Sequence, residues 1–423
     1  MTGTGQDSRT GRGAGPLPPE GSRGEAFPAV VGQVRQRFVR TGVPATGPAV
    51  VTAVREQPQT VVLGDNALLD LADQVHADLV GAGPLAPLLR QPEVTDVLVN
   101  RAEVWVDRGR GLQRVPIPVG TPEDVRRLAQ RLAAAGGRRL DDSSPCVDVR
   151  LADGTRLHAA LPPVAVAGPY LSLRTFRSRP FTLAELVAAG TVDEPVAVVL
   201  AAIVAARLAY LVTGGTGSGK STLLGTLLSL VPHDERIVLV EDSAELRPAH
   251  PHVVGLQART TNVEGVGAVG LRDLVRHALR MRPDRIVVGE CRGAEIADLL
   301  AALNTGHEGG AGTLHANTPG DAPARLEALG LLGNLPRPVL HAQVAAALQV
   351  VLHLRRAGGG AGQRVLDAIC LLLPEGPERL VSAVPVWQRG TGPGPAAPVL
   401  ARLLTERAVP VPALLGPAPG GGR

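Results

Sequence analysis

Lysine is almost absent from this chain. Of 43 Lys and Arg residues among 423, one is lysine, Lys220, and every other is arginine. Aromatic side chains are scarce too: four Phe, two Trp and two Tyr. That scarcity argues against a protein that grips single-stranded nucleic acid by stacking bases on rings. The three cysteines, Cys146, Cys291 and Cys370, lie far apart with no C-x-x-C spacing. An odd, dispersed set argues against a disulfide framework or a zinc site and suits a reducing cytoplasm. The start, MTGTGQDSRTGRGAGPLPPEG, has no apolar h-region, so no secretory signal is expected. The longest apolar run, Val196–Val212, is Ala-rich, is broken by Arg207 and leads into a Gly-rich loop. It predicts a buried helix followed by a strand rather than a membrane span. A net charge of +4 is too mild for a coat on nucleic acid or anionic lipid.

Gly (51) and Pro (37) are abundant. Together with the Ala and Arg content they reflect the bias of GC-rich coding DNA. Lysine is the residue such a bias removes, which makes the surviving one informative. The 44% hydrophobic content suffices for a core of Leu, Val, Ala and Ile. The length has room for two or three domains.

Five regions follow from composition and periodicity. Residues 1–45 form a Pro/Gly-rich N-terminal segment expected to be disordered, although Val30–Arg40 has helical periodicity. Residues 46–180 predict an α+β domain. Its elements are a helix at 67–79, strands VTDVLVN and EVWVD with RGRG as a turn, a helix at 121–137, a hairpin at 147–164 and the strand LSLRTF. Thr121 and Pro122 provide the N-cap and first position of that second helix. Asp153-Gly154 is the hairpin turn. Residues 181–194, containing FTLAELVAAG, form a linking helix. Residues 195–387 alternate helix and strand and predict an α/β domain with a central sheet. Its strands are LAYLVTG, RIVLVED, HVVGLQAR, DRIVVGE and GAGTLHA, closed by a hairpin from LQVVLHLRR to QRVLDAICLLL. Residues 388–423 are expected to be a loose Pro/Gly-rich tail.

The segment Gly214-Gly215-Thr216-Gly217-Ser218-Gly219-Lys220-Ser221 fits G-x-x-x-x-G-K-[ST], and Thr222 follows it. A strand precedes it and a helix follows, as that pattern requires. Glycines let backbone N–H groups turn inward around phosphate oxygens, and the helix N-terminus adds the positive end of its dipole. Lys220 reaches the terminal phosphates as a compact charge, and the Ser221 hydroxyl is offered to Mg²⁺. A single lysine dropped at random would land there about once in 400 tries. The pattern thus predicts ATP and Mg²⁺ as cofactors without naming the reaction.

Such a loop needs a carboxylate at the end of a neighbouring strand, to orient water or hold the metal's shell. RIVLVED ends in Glu241-Asp242 and DRIVVGE ends in Glu290. Gly289 stands where many such proteins place a metal-linked aspartate. Glu290 is therefore the expected water-orienting residue or base, and Glu241 and Glu290 are the acidic candidates near the metal. The stretch TGHEGGAGTLHANTP carries His307 and His315. With no Cys or third His at suitable spacing, zinc is a poor reading. Taken alone, the histidines are either structural or contacts to a phosphate.

Together these elements resemble the traffic ATPases of type II and type IV secretion systems. The resemblance is closest to the tight-adherence (Tad/CpaF-like) pilus branch and its conjugal-transfer-associated relatives. It spans about residues 67–372 and rests on GPLAPLLRQPEVTDVLVN, RLADGTRLHAALPP, LSLRTF followed by FTLAELVAAG, GGTGSGKST, RIVLVEDSAEL, HVVGLQART with NVEG, LVRHALRMRPDRIVVGECRGAE and LNTGHEGGAGTLHANTP. It implies an "Asp box" at Glu241, Asp242 and Glu245, an atypical Walker B at Glu290, and a "His box" at His307 and His315, with His315 close to nucleotide. It also implies a RecA-like ATPase domain behind a smaller N-terminal domain, Mg-ATP at their junction and a ring, expected to be a homohexamer. Arginines of the first domain approach the phosphates; Arg174 matches best, with Arg150 and Arg156 behind it. Partners would be inner-membrane platform proteins, with the chain on the cytoplasmic face of the membrane, peripheral association at most and no direct nucleic-acid contact. Two departures stand out: HEGGAG lacks the usual Asp and Ser, and Cys291 replaces an aliphatic residue after Glu290.

The competing functions are a nucleic-acid-translocating motor on the same core, a nucleotide-bound scaffold without turnover, and a small-molecule kinase. Weak net charge and few aromatics count against the first. The intact Lys220, Ser221 and Glu290 count against the second, and the absence of a readable acceptor pocket or lid against the third.

Overall fold

In the computed structural model, residues 23–41, 46–60, 64–109, 111–175, 179–259, 267–358 and 362–416 are described. They divide into two compact units, Met1–Phe176 and Arg177–Arg423. The NVEG stretch and parts of the RGRG turn and of the Gly-rich turn after 356 lie outside the described residues.

The first unit opens with three helices, α1 (Arg23–Thr41), α2 (Gly47–Arg55) and α3 (Asp65–Val80). The expectation of disorder to residue 45 is corrected over α1. Val30, Val31 and Val34 form a helical apolar stripe buried with Val50, Val54 and Val75 of its neighbours. The helical period of Val30–Arg40 prevails over the surrounding glycine and proline content because these valines have a core to enter. After the short α4 (Ala86–Leu89) come β1 (Asp96–Asn100), β2 (Glu103–Asp107), β3 (Leu112–Val115), α5 (Pro122–Ala135), β4 (Cys146–Arg150), β5 (Arg156–Ala160) and β6 (Tyr170–Arg174). The strands form one antiparallel sheet in the order β3-β2-β1-β6-β5-β4. Helix α5 begins at the expected cap: the Thr121 hydroxyl accepts from the Asp124 amide, and Asp124 accepts from the Thr121 amide at 2.8 Å. Its Val125, Leu128 and Leu132 join the alternating valines of the strands in one core.

The second unit contains α6 (Leu183–Ala188), α7 (Glu194–Ala205), β7 (Tyr210–Gly214), α8 (Lys220–Leu228), β8 (Ile237–Glu241), β9 (Val253–Gln257), α9 (Leu271–Ala278), β10 (Arg285–Cys291) and α10 (Glu295–Leu303). It continues through β11 (Ala311–Leu314), α11 (Ala322–Leu332), α12 (Arg337–Ala347), β12 (Val350–Arg356), β13 (Arg364–Glu375), β14 (Leu380–Gln388), β15 (Gly392–Pro393) and α13 (Ala397–Glu406). The sheet runs β15-β14-β13-β12-β7-β11-β10-β8-β9. The six strands from β12 to β9 are parallel, and β13 to β15 are antiparallel to their neighbours. Apolar clusters cover both faces, one built with α7, α8 and α13 and the other with α9, α10, α11 and α12. This is the α/β, RecA-like domain, and the first unit is the smaller α+β domain.

The linking helix α6 packs into this second unit, where Leu186 and Val192 are buried. The expected loose tail is also corrected: Leu400, Ala401 and Leu404 of α13 and Leu415 are core residues. Their helical spacing lay hidden in a Pro/Gly-rich stretch, and β14 and β15 went unread beside it. Among the described residues no helix is long and apolar enough to cross a membrane.

Candidate functional site

Parallel strands deliver all their C-terminal ends to one edge of the sheet, where loops gather. Strand β7 is wholly buried and carries the chain into the glycine-rich loop. Gly214 takes a φ of +145°, and a Cβ there would stand 2.3 Å from the Leu354 carbonyl oxygen and 2.6 Å from Ser218 Oγ. Only glycine fits that position. Gly219, at φ +100°, turns the chain into α8 with no side-chain cap, so the first N–H groups of the helix face the loop. Lys220 is 8% exposed, and its ammonium donates to the carbonyls of Gly214 and Gly215 at 2.9 Å each. The buried Ser218 hydroxyl has no partner among the described residues. Ser221 is exposed and Thr222 half-buried at the start of α8. A cradle that a Cβ would fill, an uncapped helix N-terminus and a compact cation together fit a nucleotide's phosphates. Among the described residues no cluster of three His, Cys, Asp or Glu side chains could hold a metal alone.

The carboxylates differ in their surroundings. Glu241, at the end of β8, is buried, and its Oε1 accepts from the amides of Glu245 at 2.9 Å and Leu246 at 3.0 Å. Its side chain also explains Gly289: a Cβ at 289 would sit 2.7 Å from Glu241 Cγ. The place of an aspartate on β10 is thus filled from β8. Asp242 is exposed beside it. Glu290, one residue further along β10, is paired with Arg292, and its Oε1 lies 2.6 Å from Nε2 of His315. Burial and the neighbouring positive charge of Lys220 hold the His315 imidazole below the usual histidine range, against the pull of Glu290. The loop after Glu290 is fixed by buried Glu295, whose Oε1 accepts from the amides of Arg292 at 2.6 Å and Gly293 at 2.7 Å.

Lys220, Glu290 and His315 are therefore neighbours, whereas His307 is not among them. His307 precedes β11, at the opposite edge of the sheet, with Nδ1 3.2 Å from the carbonyl of Ala302 near the end of α10. The unusual glycines beside it answer to packing. A Cβ at Gly309 would lie 2.7 Å from Arg285 Nη1, and one at Gly310 would lie 2.4 Å from Leu303 Cδ2. Burial pushes the Cys291 thiol up, in keeping with a packing residue. In the first unit the register brings the three candidate arginines into one cross-strand row: Arg150 opposes Arg156, which opposes Arg174. Directly opposed residues share a face. Arg156 is held by Asp148 through a two-pronged contact of 3.0 and 2.7 Å.

Three site residues escape sequence reading. Arg356 and Arg364, at the tip-facing ends of β12 and β13, both donate to the Gly217 carbonyl of the loop. His353 lies buried on β12 with Nδ1 2.9 Å from the hydroxyl of Thr213, the residue before Gly214, and its ring bonds the Asn317 backbone two residues beyond His315. In an arginine-rich chain neither arginine has a distinguishing signal. Only the closeness of the LQVVLHLRR hairpin to β7 singles them out, and that is a matter of topology.

The family described as Type II/IV secretion system protein matches residues 78–368 of this chain. A Mycobacterium tuberculosis protein named for conjugal transfer is 56% identical over 354 residues, covering 82% of this chain and 99% of its own length. The type IV secretion system protein PtlH of Bordetella pertussis is 34% identical, covering 67% of this chain and 92% of its own. Among solved structures, the VirB11 ATPase of the Brucella suis type IV secretion system, in complex with sulphate, is 27% identical over 68% of this chain and 95% of its own, with a TM-score of 0.38.

Proposed function

This chain belongs to the type II/IV secretion system protein family, and from that premise we propose that it is the ATP-hydrolysing motor of a secretion, conjugal-transfer or Tad/type IV-like pilus system. The observation that carries this reading is the gathering of Lys220, Glu290 and His315 on one edge of the sheet, at the end of an uncapped α8.

Bound Mg-ATP supplies the phosphoryl group and the charge that neutralises it. The protein does the rest. The glycine loop and Lys220 hold the phosphate chain, and Ser221 holds the metal. Glu290 orients the attacking water and accepts its proton, while neutral His315, its one N–H on Nε2, donates to the Glu290 carboxylate and fixes it. Glu241 lends its carboxylate to the metal's surroundings and fixes the loop after β8. Arg174, with Arg150 and Arg156 in its row, adds guanidinium charge at the phosphates in a working ring, expected to be a homohexamer. The ring passes its motion to inner-membrane platform proteins from the cytoplasmic side.

Phosphate release by the purified chain with Mg-ATP tests this. Lys220→Ala is expected to lose nucleotide binding and at least about 100-fold in turnover. Persistence of both would overturn the reading. The second reading, a nucleic-acid translocase, predicts strong stimulation by DNA at physiological salt; the present one predicts none.

A further inference from the structure

The ends of the β12–β13 hairpin place two arginines directly opposite each other, Arg356 against Arg364. Like charges in that position repel. Both nevertheless converge on one oxygen, the carbonyl of Gly217. Arg356 donates from Nε at 3.2 Å and Nη2 at 3.0 Å, and Arg364 from Nε at 3.1 Å. Gly217 sits at φ +68°, a left-handed conformation that favours glycine, and a Cβ there would crowd Arg356 Nη2 at 2.7 Å. The next residue along, Gln363, donates to the Ala189 carbonyl at 2.7 Å, which ties the same hairpin end to the close of α6.

We propose that Arg356 and Arg364 are positioning residues that set the phosphate loop for a nucleoside triphosphate by holding the Gly217 peptide with its oxygen outward. This rests on the reading of the loop as an ATP site. A peptide's C=O and the following N–H point in opposite directions. An oxygen drawn towards the hairpin therefore turns the Ser218 amide towards the inside of the loop. That amide reaches the Gly215 carbonyl at only 3.3 Å, a long bond that a phosphate oxygen can replace. Planar forks suit this task better than ammonium groups, because one Arg356 side chain places two donors on a single oxygen.

The test uses the full chain, fluorescent mant-ATP for binding and phosphate release for turnover. Arg364→Gln is expected to weaken mant-ATP binding and raise KM about tenfold, and the Arg356→Gln/Arg364→Gln double variant about a hundredfold, with kcat within about threefold. Arg364→Lys should recover part of the affinity. A purely structural role would instead lower Tm without moving KM. Parent-like mant-ATP affinity and KM in the double variant would overturn the proposal. Where the double variant does not fold, the Arg356→Lys and Arg364→Lys singles decide: raised KM supports the proposal, and unchanged KM in both overturns it. Lys220→Ala, run alongside, separates the two ideas. If it loses binding while the arginine variants keep it, the loop reading stands and this proposal falls. If Lys220→Ala also binds normally, the loop reading itself falls.

Discussion

The two edges of the nine-stranded sheet use charge in opposite ways. At the edge where β7, β10 and β11 end, charged groups meet at the surface: buried Lys220, half-buried Glu290 and His315, and exposed Arg292. At the other edge Arg285, 1% exposed, is closed off by Glu235 at 2.7 and 3.2 Å and by the Val204 carbonyl. Arg207 adds a further contact to Glu235 at 3.1 Å, and Arg407 of the C-terminal region clasps Glu308 and the Ala206 carbonyl. One edge keeps its charges in reach of a ligand; the other spends them on holding helices to strands. His315 and His307, eight positions apart in one Gly-rich stretch, fall on different sides of this division because β11 runs between them.

The comparison is sharpened first by the histidines. His315→Ala is expected to cut ATP turnover by about 10²-fold or more, the range of a lost general-acid or orienting group, whereas His307→Ala leaves turnover within about twofold. Equal losses in phosphate release from the two variants would break the division of the edges. A smaller effect on activity, but a larger one on stability, is expected at the closed edge. Glu235→Ala leaves Arg285 buried without its carboxylate and should cost about 3 kcal/mol in urea unfolding while KM for ATP stays put. A shifted KM with unchanged stability would mean that the closed edge also serves the nucleotide.

Much of this was legible in the sequence, for local reasons. The glycine loop, the strand before it and the helix after it follow from backbone needs within nine residues. The Thr121 cap and the Asp153-Gly154 turn are equally local, with Asp153 accepting from the Thr155 amide at 2.9 Å. Glu241 and Glu290 were readable as strand ends. Long-range packing was not readable. Gly289 looked like a missing aspartate, and only the fold shows Glu241 occupying its space. The Gly217 contacts of Arg356 and Arg364 join positions 139 and 147 residues apart, and no sequence pattern marks them. The tail helix α13 was obscured by composition, since Leu400 and Leu404 enter the same apolar cluster as α7 from a Pro/Gly-rich stretch. Lysine's scarcity gave the clearest pointer. Arginine replaced it everywhere except at position 220, where an 8%-exposed ammonium fits between two loop carbonyls that a guanidinium fork would overfill.

The most direct measurement is single-turnover hydrolysis by Glu290→Gln alongside mant-ATP binding. The account predicts binding within about threefold of the parent and hydrolysis slowed by about 10²-fold or more, because only the water-orienting carboxylate is lost. Parent-like hydrolysis by Glu290→Gln would contradict it.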